Sequence, residues 1–130
     1  MFIRTPRLEI FVDRIETNAR CIIDLCRQHG VQVACVTKVM GSHPALLHAL
    51  EHAGADMIGD SRVSNRESIS STGLTVPTMM LRPPAPSRVA DVVRCADYSL
   101  NSSARTVELL SAAAHLTGRT HKVVMMVDVG

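Results

Sequence analysis

Tryptophan is absent, and three aromatic residues serve the whole chain: Phe2, Phe11 and Tyr98. Without stacking rings, and with basic residues dispersed rather than clustered, the chain offers nucleic acid little, and its net charge of only +2 agrees. Long apolar runs are also missing. The longest strictly apolar stretch near the C-terminus, 123–127, is far too short to span a bilayer. Arg4, Arg7 and Glu9 interrupt any signal-like core at the N-terminus. A cytoplasmic protein with neither a membrane nor a nucleic-acid partner is the expectation. The four cysteines form no Cys-x-x-Cys pair. Cys26 on the apolar face of an expected helix and Cys35 inside an expected strand read as buried reduced thiols, not as a disulfide frame or a zinc site.

Lysine is scarce as well. The chain carries Lys38 and Lys122 against twelve arginines. A sequence that otherwise writes positive charge as guanidinium has kept a primary amine at Lys38, the end of the run Val31-Gln-Val-Ala-Cys-Val-Thr-Lys38. Guanidinium cannot form an imine, whereas an unprotonated lysine attacks aldehydes. The same placement suits a strand-end lysine reaching for solvent, and spacing alone does not separate the two readings.

With 130 residues, 46% hydrophobic and 20% charged, the chain is sized for one globular domain. Its apolar periodicity alternates between strand and helix. The pattern predicts a strand over Leu8–Val12 and a helix over Arg14–His29, with Asp13 and Glu16 as a capping box. The strand ending at Lys38 follows, then a helix opened by Pro44. Further strands are expected over Ala55–Gly59, Val76–Leu81, Asp97–Asn101 and Lys122–Val129. Helices intervene from Ser64 (with Glu67 at capping spacing), Ser87 and Ser103. This alternation predicts β-α units and a parallel sheet. Polar residues gather where strands stop: Lys38, Asp60-Ser61-Arg62, Arg82, Asn101-Ser102 and Asp128. In α/β proteins that edge is where sites are built, although strand ends and helix caps are polar for ordinary reasons too.

Five blocks carry a resemblance: Val36-Thr37-Lys38-Val39, Gly59-Asp60-Ser61-Arg62, Met80-Leu81-Arg82-Pro83, Ser99-Leu100-Asn101-Ser102 and Met126-Val127-Asp128-Val129-Gly130. In this order they resemble the alanine/ornithine racemase family, fold-type III enzymes dependent on pyridoxal 5'-phosphate. The resemblance implies a partial (β/α)8 TIM-type barrel of about five barrel strands, preceded by one strand and one helix. It also implies an amino-acid racemase of ornithine or alanine type in which Lys38 is the Schiff-base lysine that moves the α-proton. Arg82, Asn101 and Asp60 are secondary cofactor-binding candidates. Where alanine racemases place a cofactor-binding tyrosine, this chain has Ser42. A complete barrel needs roughly 250 residues, so the chain reads as the N-terminal part of a longer racemase, with a homodimer left open for the full-length form. Its open sheet edges predict self-association. A non-catalytic cofactor carrier of the same barrel family, and an inactive remnant, remain as alternatives.

No metal site is expected. His48 and His52 are four residues apart on one helical face, but that face lies opposite Leu46, Leu47 and Leu50 and lacks the His-Glu-x-x-His order. Arg82 suits a bidentate contact to carboxylate or phosphate, or equally a bridge to Asp60 or Asp128.

Overall fold

The computed structural model describes residues 8–130, apart from the side chains of residues 66–68 and 70 within one helix. The Ser64–Glu67 capping pattern and the Arg4 and Arg7 interruptions therefore fall outside the described residues. The chain runs α1 (Val12–Gln28), β1 (Ala34–Val36), α2 (Pro44–His52), β2 (Met57–Asp60), α3 (Val63–Ser70), β3 (Thr78–Met80), a 3-10 turn (Pro86–Arg88), α4 (Val89–Cys95), β4 (Tyr98–Asn101), α5 (Ala104–Thr117) and β5 (Lys122–Met125).

The five strands are parallel and stand side by side in chain order. Parallel neighbours joined by right-handed crossovers place every connecting helix on the same face, and only a reversal of strand order would put helices on both. Sequential order is thus the topology of a (β/α)8 barrel, here five consecutive staves of one. The helices pack side by side accordingly, α1 on α2, α3 on α4 and α4 on α5.

Two apolar clusters fill the layer between sheet and helices. One joins Ile23 of α1, Leu46, Leu47 and Leu50 of α2, Ile58 of β2 and Ile69 of α3. The other joins Met80 of β3, Val89, Val92 and Val93 of α4 and Leu110 of α5. Each fully buried aliphatic side chain contributes about 1.5–3 kcal/mol. Pro44 at the start of α2 spends no backbone donor there. Gly118 ends α5 in the left-handed conformation (φ 63°), with its own N–H on His115 and that of Arg119 on Ala114.

Two expectations at the N-terminal end are corrected. Leu8–Val12 is not a strand: residues 8–11 form no ladder with any described residue, and Val12 already belongs to α1. A lone extended segment with no neighbour to accept its backbone bonds gains nothing from β propensity. The Asp13–Glu16 capping box does not form either. Phe11 is the N-cap, Asp13 sits inside the first turn, and Glu16 instead meets Arg20 at 2.6 Å. At the other end, β5 stops at Met125, and only Met126 adds one more bond, its N–H to the Asn101 carbonyl. Among the described residues no helix is long and apolar enough to cross a membrane.

Among the described residues none covers the sheet face opposite the helices. Val36 on β1 is 47% exposed and Val124 on β5 is 41% exposed, while Met125, Met126 and Val127 continue the apolar edge. An apolar parallel strand at an open edge pairs readily with another copy. The 130-residue chain is therefore expected to associate as its concentration rises in sedimentation velocity, and Val124→Lys to shift it towards monomer. A wild-type monomer whose sedimentation does not change with concentration would contradict this reading of the edge.

Candidate active site

Strand alternation sorts the polar residues at the carboxyl ends into two sets. The ladder register aligns Val36 with Gly59, Met79, Tyr98 and Lys122 on one face, and Asp60 with Met80, Ser99 and Val123 on the other. The second set faces the helices. Asp60, Thr37, Ser99 and Asn101 are all fully buried there.

Asp60 binds three neighbouring segments. Its Oδ2 accepts the Thr37 hydroxyl at 3.2 Å, its Oδ1 accepts the Arg62 backbone N–H at 3.0 Å, and its carbonyl accepts the Leu81 N–H at 2.9 Å. The Asn65 amide of α3 bridges both carboxylate oxygens at 3.2 Å. Bonds to a buried carboxylate are charge-assisted and strong. Thr37, Arg62 and Leu81 either precede or carry the three cations of the rim: Lys38, Arg62 and Arg82. A Thr37 N–H bond to the Gly59 carbonyl at 3.0 Å extends β1 by one residue, so Lys38 lies just past the last ladder bond. A Cβ on Gly59 would come within 3.1–3.3 Å of the Leu81 side chain, so glycine allows β2 and β3 to pack closely at this level.

Lys38, Arg62 and Arg82 meet in one open cleft of about 560 Å³, lined also by Val39, Gly41 and Ser61. All three cationic residues are exposed. Among the described residues none of the three has an ion-pair partner. The Lys38 amine is neither at the far end of the sheet nor beneath a helix. Of the secondary candidates, Arg82 shares this cleft, while Asp60 and Asn101 do not line it. Arg62, named in the sequence only among the polar residues at strand ends, does. Its signal in the sequence is a position two residues past an aspartate that ends a strand.

The loop after Lys38 holds two consecutive left-handed residues, Gly41 (φ 64°) and Ser42 (φ 61°). Glycine adopts this freely; serine does so at a cost. Ser42 is buried, and its Oγ has no hydrogen-bond partner among the described residues.

Asn101 belongs to a separate buried chain. Its Nδ2 donates to Ser99 Oγ at 2.9 Å, and Ser99 Oγ lies 2.8 Å from His121 Nε2. His121 Nδ1 lies 3.1 Å from the Ala96 carbonyl, which can only accept, so Nδ1 carries the proton and Nε2 receives the Ser99 hydroxyl. A second cavity of about 460 Å³ opens at the amino ends of β3–β5 and also collects cations. These are partnered: Arg94 pairs with Asp91, Arg119 donates to the Arg94 carbonyl at 2.8 Å, and Lys122 donates to the Tyr98 hydroxyl at 2.9 Å. Among the described residues, the Lys38 cleft is the one that gathers cations without an ion-pair partner.

The chain matches the family model for the alanine racemase N-terminal domain over residues 10–130. It is 34% identical to an ornithine racemase of Acetoanaerobium sticklandii and 31% identical to a lysine racemase of Thermotoga maritima. Each comparison covers 96% of this chain and 35% of the relative, so the chain spans about a third of the length of the curated relatives it matches. Among solved structures, a D-threonine aldolase from Filomicrobium marinum superposes with a TM-score of 0.80 at 22% identity, covering 98% of this chain and 35% of that one. PipY of Synechococcus elongatus, solved with PLP bound, gives 0.74 at 20% identity, covering 86% of this chain and 55% of that one. These structural likenesses carry the fold.

Two measurements test the site's construction. Asp60→Ala strands several buried donors and is expected to cost about 2–3 kcal/mol in denaturant unfolding. A loss below about 1 kcal/mol would mean that the carboxylate does not hold the rim. For His121, burial is the largest influence and holds the imidazole below its ordinary pKa, with Arg119 adding to this and the Ala96 bond and Asp97 opposing it. The unfolded state therefore takes up the proton first. Stability should be full above the unfolded value of about 6.5 and should fall as pH drops below it. His121→Gln should flatten that part of the profile in urea melts, and an unchanged slope would exclude His121 as its source.

Proposed function

The chain belongs to the alanine racemase N-terminal-domain family, and from that premise we propose that it binds pyridoxal 5'-phosphate covalently through Lys38 in an amino-acid racemase of the ornithine type. The observation that carries this reading is the exposed Lys38 amine at the carboxyl ends of the strands, sharing one cleft with two guanidinium groups. The donor set suits the cofactor. A primary amine is the group that condenses with an aldehyde, and guanidinium forks suit phosphate and carboxylate oxygens.

Bound there, pyridoxal phosphate would supply an electron sink for the negative charge that develops at the substrate's α-carbon. The chain's own part is to hold and to move protons. Lys38 Nζ would hold the cofactor and, as a free amine, would take the α-proton from one face of the substrate or return it there. Arg62 and Arg82, lining the same cleft, would offer guanidinium groups to an anionic group of the ligand. Asp60 and Thr37 keep the Lys38 segment in register with the Arg62 and Arg82 segments, so the amine is positioned before a ligand arrives. The ornithine and lysine racemases among the relatives support a basic amino acid as the substrate class.

Titrating the chain with pyridoxal 5'-phosphate should produce the absorbance band of a lysine adduct. Borohydride should then fix the added mass on the peptide bearing Lys38, and Lys38→Ala should show neither. Coincident spectra for wild type and Lys38→Ala would remove the proposed attachment.

A further inference from the structure

We infer that Arg62 and Arg82 form an anion clamp that draws the charged group of a carbonyl ligand into the Lys38 cleft, so that the site selects anionic aldehydes over neutral ones of similar size. The assignment rests on the reading of Lys38 as the reactive amine, but its geometry stands apart from that reading. Three cations line one cleft, and among the described residues none has an acidic partner. The carboxylate tied to this rim, Asp60, faces the helices and spends both oxygens on Thr37, Asn65 and the Arg62 backbone. Like charges gathered without a counter-ion raise the local potential, and an anion entering the cleft relieves it.

The backbones that carry the two guanidinium groups are held in place from behind. The Arg62 N–H is bound to Asp60 Oδ1, and the Leu81 N–H, one residue before Arg82, is bound to the Asp60 carbonyl. Arg82 is followed by Pro83 and Pro84, and Pro84 is buried. Proline keeps the residue before it extended, so the Arg82 backbone is stiffened on both sides. Two positive charges match the double charge of a phosphate monoester, or a carboxylate with charge to spare. The clamp supplies orientation as well as affinity, because each fork can grip two oxygens of one group.

Four aldehydes and one ion test the clamp on the chain as it stands. In each trapping reaction the Lys38 amine adds to the aldehyde carbon, the carbonyl oxygen leaves as water, and cyanoborohydride delivers hydride to the C=N bond. Adducts at Lys38 are counted by mass spectrometry. Pyridoxal 5'-phosphate should be trapped about tenfold faster than pyridoxal, or glyoxylate about tenfold faster than propionaldehyde, the size of effect that one charge-assisted bond gives. A phosphate-only preference assigns the clamp to the phosphate, a glyoxylate-only preference assigns it to a carboxylate, and either supports it. In the double variant Arg62→Gln, Arg82→Gln the preference should fall to within about twofold, with an unchanged circular dichroism spectrum. Equal preferences in wild type and variant overturn the clamp.

Inorganic phosphate provides the arm that does not depend on Lys38 chemistry. Its phosphorus resonance should broaden saturably with wild-type chain and not with the double variant. Broadening without any trapping at Lys38 would sink the cofactor reading and leave the clamp standing. Trapping at Lys38 with neither anion preference nor broadening would do the reverse.

Discussion

The carboxylate of Asp60 is the tie on which the rim depends. It is fully buried and bonded at once to the segment before Lys38, to the backbone of Arg62 and to α3, while its carbonyl holds the strand that delivers Arg82. Burying a carboxylate is expensive unless donors surround it. Here the donors come from the end of β1, the backbone of Arg62 and helix α3, so the bonds that make the burial tolerable also fix those segments relative to one another. The result is a cleft whose cations are set by an anion the cleft does not itself expose.

One-sided wrapping explains the rest of the architecture. Because the strands follow one another in chain order, every helix lies on one face, and the apolar clusters are confined to the layer between them. The other face keeps side chains such as Val36 and Val124 that have the character of a core and the exposure of a surface. Those side chains suit the interior of a barrel, in which layers from alternate strands fill the middle. The carboxyl-end cleft sits on the mouth of that interior, so the same topology that leaves an apolar wall open also gathers the polar residues above it.

Much of this was legible in the sequence. The alternation of strand and helix and the start at Pro44 follow from short-range patterns that the fold preserves, and Lys38 lies just past β1, where that alternation sets it. What was not legible depends on register. A strand's side chains change face with every residue, so a boundary error of one position reverses which side a polar group occupies. The pattern predicts a strand over Ala55–Gly59, whereas the ladder runs Met57–Asp60 and turns Asp60 inward under α3. Asp60 therefore looks like a rim candidate in the sequence and is a buried anchor in the fold, whereas Asn101 ends its strand as expected and is buried because it shares the helix-facing side with Ser99. Arg62 stands in the sequence only as one of several polar residues at strand ends, and its shared cleft with Lys38 and Arg82 distinguishes it. The segment 8–11 failed for the opposite reason: its residues favour a strand locally, and no described neighbour completes a ladder.

The two faces of the sheet thus divide the labour by a period of two residues. Thr37 and Lys38 are adjacent in the chain, yet one is sealed against Asp60 and the other opens into the cleft. A reactive amine on a flexible four-carbon stem is a poor point of reference by itself, since its side-chain freedom spreads the nitrogen over a wide volume. Anchoring the preceding residue leaves that stem free while fixing where it begins, and anchoring the flanking arginine segments in the same way fixes what it can meet. On the proposed reading lysine serves the bond and arginine the grip, and the rim sets one of the chain's two lysines beside two of its twelve arginines.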